Sequence, residues 1–122
     1  MHERQIVYRG RCDRSADRCI ITVYRSLRIG GTRIYELPAR NDVMNHSPDG
    51  FSWGYQGSGP AQAALAILLD FTDGDVARVQ PIYQFFKDVV IANFENGSSW
   101  ELTAGEIERT LATIEREQQR AS

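Results

Sequence analysis

Polar and apolar positions follow one period at the front of the chain, none in the middle and another at the back. In the first forty residues, "QIVYRG" and "RCIITVYRS" are rich in β-branched and aromatic residues and flank the polar "DRSADR". The pair reads as an antiparallel hairpin. Alternation in "CIITVYR" puts Ile20, Thr22 and Tyr24 on one face and Ile21 and Val23 on the other. Both faces are largely apolar, which predicts a central strand. Gly30-Gly31 supplies a two-residue turn, and "TRIYEL" is a third strand that ends at Pro38.

Residues 39–59 lack periodicity, and a connection of that length is often functional. Within it "SPDG" has turn chemistry, with Pro48 presetting φ and Gly50 tolerating the left-handed region. From Pro60 the period becomes helical. "PAQAALAILLDF" is apolar on every side except at Gln62, the mark of a buried helix, with Pro60 at its first position and Ser58 or Gly59 as cap. A second helix starts near Pro81, with Ile82, Phe85, Phe86, Val89 and Val90 as its apolar stripe. "NGSSW" reads as a loop. "TAGE" is a capping box opening a third helix that buries Ile107, Leu111 and Ile114 and frays at "EREQQRAS". The expected fold is a small α+β domain spanning 1–122. An antiparallel meander of about three strands (1–38) and a Gly/Pro/aromatic loop (39–59) precede a part with about three helices (60–119). The 60–71 helix is central.

Composition narrows the class. A 122-residue chain with 42% hydrophobic and 25% charged residues fits one ordinary globular domain. No apolar run approaches the roughly 18 residues of a membrane span, so no membrane partner is expected. The charged N-terminus lacks a signal-peptide apolar stretch, which makes a cytoplasmic location the expectation. Cys12 and Cys19 flank the hairpin loop. With only His2 and His46 beside them and no CxxC spacing, a zinc site is disfavoured. A disulfide is open, but in a cytoplasmic protein two reduced thiols are the favoured state.

The net charge of −2 hides an asymmetry. Residues 1–40 hold nine arginines against Glu3, Asp13, Asp17 and Glu36, a balance of +5. Residues 41–122 hold five basic and twelve acidic residues, a balance of −7. A basic front half points to nucleic acid or another anionic partner, or it is a solvated arginine-rich sheet face. If Arg9, Arg11, Arg25 and Arg33 share one exposed face, the first reading gains.

The loop "HSPDGFSWGYQGSGP" admits three readings. Convergent amides at Gly57, Ser58 and Gly59 before a helix N-terminus could hold an anion, although the P-loop and Rossmann patterns are both absent. Trp53 and Tyr55, on one face if the chain is extended, could stack bases or anchor a protein. Alternatively the glycines permit a tight approach to a buried helix and the tryptophan packs beneath the sheet. His46, Ser47 and Asp49 sit within one turn and do not make a nucleophile–base–orienter set, so no catalytic residue, metal ligand or cofactor is expected.

The same stretch carries a family resemblance. Phe51, Trp53, Gly54, Tyr55, Gly57, Ser58, Gly59 and Pro60 match the pattern F-x-W-G-Y-x-G-S-G-P of domain of unknown function 6166, and Ala64 to Leu68 resemble its L-A-x-A-I-L helix. Ala63 stands where leucine is expected. "YRG", "FKDVV" and "WELT" fit the flanks. The resemblance implies a small protein of bacteria, archaea, phages or plasmids, with no activity assigned. The candidate binding residues are Arg9, Arg11, Arg25 and Arg33 on the sheet. His46, Trp53, Tyr55, Gly57, Ser58 and Gly59 join them from the loop. Two non-enzymatic functions compete: a binder of nucleic acid or another anionic partner, and a protein-interaction module, such as a phage-encoded inhibitor of a host protein, with a homodimer as one form. A buried tryptophan with scattered arginines would count against both.

Overall fold

The computed structural model describes residues 5–121. His2, Glu3 and Arg4, which entered the metal and charge arguments, lie outside them. β1 (Ile6–Asp13) and β2 (Arg18–Ser26) form the expected hairpin, and β3 (Thr32–Glu36) completes the meander. A fourth strand, β4 (Trp100–Thr103), adds antiparallel to the other side of β1, giving the order β3-β2-β1-β4. The expected three-strand meander is present, and β4 extends its sheet from the C-terminal part of the chain. Four residues are too few to display a period of two, so the start of β4 reads as the end of a loop.

Register assigns the faces. Tyr8 opposite Val23 and Gly10 opposite Ile21 point one way, while Val7 opposite Tyr24 and Arg9 opposite Thr22 point the other. The first face carries the core: Ile6, Tyr8, Ile21, Val23 and Leu102 are all buried. On the second, outer face Ile20, Thr22 and Tyr24 are only half-buried. β2 is central, as expected, yet only one of its faces is sealed.

Against the inner face lies α1 (Ser58–Phe71), buried from Gly59 through Leu69 and again at Phe71. Its alanines let neighbouring elements approach closely, and its Ile and Leu side chains supply about 1.5–3 kcal/mol each by burial. The helix begins at Ser58 rather than Pro60, with Gly57 as its N-cap and no side-chain cap, so neither Ser58 nor Gly59 caps it. It ends in a Schellman pattern: Gly74 N–H donates to Leu69 O at 2.7 Å and Asp73 N–H to Asp70 O at 3.2 Å.

Three more helices follow: the four-residue α2 (Val76–Val79), α3 (Tyr83–Val89) and α4 (Ala104–Ala121). α3 packs against α1 and α4. Its apolar stripe differs from expectation. Ile82, Tyr83 and Phe86 are buried, whereas Phe85 and Val89 are 50% and 53% exposed. The capping box forms as read: Thr103 N–H donates to Glu106 Oε1 at 3.0 Å and Glu106 N–H to Thr103 Oγ1 at 3.2 Å. α4 buries Ile107, Leu111 and Ile114 and runs as helix to Ala121.

Cys12 and Cys19 are joined in a disulfide, which corrects the reduced-thiol expectation. The hairpin register sets them directly opposite each other. Among the described residues no helix is long and apolar enough to cross a membrane, and no cluster of His, Cys, Asp or Glu could hold a metal ion.

Candidate functional site

The loop between β3 and α1 is built around two buried side chains. Gln62, on α1 and fully buried, donates through Nε2 to Ala39 O at 2.6 Å and Met44 O at 3.0 Å. Its Oε1 accepts from His46 N–H at 2.8 Å and Ser47 N–H at 3.2 Å. One amide thus clamps the segment 39–47. His46 then pairs its Nε2 with the Tyr83 hydroxyl at 2.6 Å.

Trp53 is 1% exposed, donates Nε1–H to Ser98 O at 2.8 Å and packs edge-on against Trp100. Tyr55 is 44% exposed, with its hydroxyl 2.7 Å from Ser52 Oγ. The shared aromatic face is therefore corrected. Gly54 sits at φ 88 and breaks the alternation that would put the two rings on one side. A side chain at Gly59 would run into Ser52, and one at Gly57 into the Tyr55 ring. Gly57 and Gly59 thus serve the tight turn into α1, which Ser58 opens without capping it.

The four candidate arginines divide between two faces, which corrects the single-face expectation. Arg9 and Arg11 stand exposed on the outer face. Arg25 and Arg33, opposite each other in β2 and β3, point to the helix side because odd positions of β2 share the face of Val23. Arg9 lies over the Tyr24 ring at 4.8 Å and donates to Glu101 at 2.7 Å. Arg18 on the same face pairs with Glu36 at 2.8 Å. Arg9, Arg11, Thr22, Tyr24, Trp100 and Glu101 line a shallow hollow on this side. Trp100 Nε1 is buried without a hydrogen-bond partner.

At the far end of β2 a second hollow holds a charged cluster that the sequence reading missed. Asp70 Oδ1 accepts from the Tyr8 hydroxyl at 2.6 Å and from Arg25 Nη2 at 2.7 Å, and Oδ2 accepts from the Tyr35 hydroxyl at 2.6 Å. Burial, then the Asp70 charge and its hydrogen bond, push the Tyr8 phenol far above its ordinary range. Burial and its own hydrogen bond to Asp70 raise Tyr35 as well. Burial opposes the Arg25 charge, yet the bond to Tyr35 and the Asp70 carboxylate outweigh it and hold the guanidinium above its ordinary value. With both oxygens engaged, Asp70 anchors the end of α1 to the sheet. The signal was a lone carboxylate in the otherwise apolar "AILLDF".

A family model described as "Family of unknown function (DUF6166)" matches residues 13–113. The chain belongs to DUF6166. No curated protein and no solved structure matches it. The DUF6166 match takes in the clamp at Gln62, the Asp70 cluster without Tyr8, and β4. It begins one residue after Cys12, so the disulfide straddles its boundary.

Proposed function

We propose that this DUF6166 domain is a non-enzymatic binding protein that docks an anionic partner, single-stranded nucleic acid foremost, on the outer face of its sheet. The observation that supports this is the face itself. The core side takes the helices, and the other side carries Arg9, Arg11 and Arg18 around Tyr24, Ile20 and Thr22. Cationic forks beside a flat ring suit a phosphate backbone with stacked bases. The Arg9–Glu101 and Arg18–Glu36 pairs are at least half exposed at every side chain. Exposed pairs of that kind add little to stability, so a phosphate can replace the carboxylate at little cost. The burial of Trp53 and the division of the arginines remove the loop and Arg25 from this surface.

Fluorescence anisotropy with labelled single-stranded and duplex DNA and RNA, at two salt concentrations, tests the reading. Binding that weakens steeply with salt and is lost in Arg9→Ala/Arg11→Ala is the expected result. An absence of binding at low salt eliminates it.

The second reading, a protein-interaction module such as a phage-encoded inhibitor of a host protein, draws support from Phe85 and Val89. They lie one turn apart on α3 and are half exposed.

A further inference from the structure

We propose that two copies of this chain pair along β3, antiparallel about a two-fold axis through Ile34, and merge their sheets into one of eight strands. β3 is one of the two edge strands of the four-stranded sheet. Its hydrogen-bond phase follows from two contacts at its ends: Leu27 N–H donates to Gly31 O and Leu37 N–H to Ile21 O. Bonded and non-bonded pairs alternate in an antiparallel ladder. The pairs Arg25–Arg33 and Val23–Tyr35 in the same register therefore bond to β2. The N–H and C=O groups of Thr32, Ile34 and Glu36 are left facing away from it.

Those three positions are self-complementary. Centring the two-fold on Ile34 sets Thr32, Ile34 and Glu36 against Glu36, Ile34 and Thr32 of the second copy, so every outward group meets another. Ile34, 60% exposed, gains its own counterpart as an apolar neighbour. Arg33, already over the Tyr35 ring at 4.5 Å, falls opposite the second copy's Tyr35. The neighbouring registers are worse. A centre on Arg33 opposes two like charges, and a centre on Tyr35 brings Pro38, which has no N–H, opposite Thr32. An edge is commonly blunted by charge at its middle, and here the middle residue is isoleucine. The two outer faces end up on one side, so the dimer doubles the arginine and tyrosine surface described above, though its existence does not depend on what that surface binds.

Sedimentation velocity on the full chain from about 1 to 100 µM reads the association directly, since so short a pairing gives a dimer that dissociates on dilution. A mass rising from 13.8 kDa toward twice that value is expected, with Ile34→Lys monomeric throughout. Cysteine cross-linking reads the register. Oxidised Ile34→Cys yields a covalent dimer, because bonded pairs sit about 5.5 Å apart at Cα, within disulfide reach. Thr32→Cys does not, because its counterpart is Glu36. The native cysteines are already paired with each other. Ile34 is exposed, so these variants keep the fold. A monomer at every concentration overturns the proposal. So does a dimer that survives Ile34→Lys, or equal cross-linking at positions 32 and 34.

Discussion

Gln62 shows how one side chain can hold a long irregular segment in place. Four hydrogen bonds converge on its amide, two given and two received. Gln62→Leu keeps roughly the same volume but strands two carbonyls and two amides in a dry environment. Unsatisfied buried groups cost about 1–3 kcal/mol each, partly relieved as the loop loosens. A loss of at least about 3 kcal/mol by urea unfolding is expected, with faster proteolysis within 39–47. Gln62 was visible in the sequence as the lone polar residue of an apolar helix, whereas its partners lie up to 23 residues earlier and carry no signal. The reverse holds for Trp53 and Tyr55. Their spacing suggested one shared face, and a single positive φ at Gly54 sent them apart.

Among the elements, α4 was the most legible, because its start is set by local chemistry. Thr103 and Glu106 satisfy each other's amides within four residues of chain. Thr103→Ala removes one acceptor and is expected to cost about 1 kcal/mol, seen as a lowered Tm, with the same change at Thr113, mid-helix and exposed, costing less. α3 was less legible. Its sequence offers two overlapping apolar stripes, and the buried one includes Tyr83, whose hydroxyl pairs with the His46 ring. β4 was not legible at all. Its place beside β1 depends on the chain after α3 returning to the sheet.

At the scale of the whole molecule, the Asp70 cluster ties sheet to helix through β1, β2, β3 and α1 together. It predicts an alkaline limit to stability. The Tyr8 and Tyr35 phenols are raised in the folded state, so both states stay protonated below the ordinary tyrosine value of 10.0 and the contribution is then complete. Above it the unfolded chain releases these protons first, and stability falls by up to about 1.4 kcal/mol per pH unit for each group. Urea midpoints measured between pH 8 and about 11 should drop on the alkaline side. Tyr8→Phe should start lower and decline less steeply.

Local pattern by itself determined the hairpin and third strand, the buried central helix, the capping box, the α+β class and the DUF6166 signature. Each of these depends on neighbours within a few residues, where periodicity and side-chain chemistry act directly. Only the tertiary structure decided the rest. Strand register assigned Arg9 and Arg11 to one face and Arg25 and Arg33 to the other. It also set Cys12 against Cys19 as a disulfide. Burial turned Trp53 from a candidate anchor into core, and a lone carboxylate at the end of α1 gathered two tyrosines and an arginine from three strands. Such contacts join residues tens of positions apart, and their energies depend on burial and register that the linear order does not carry.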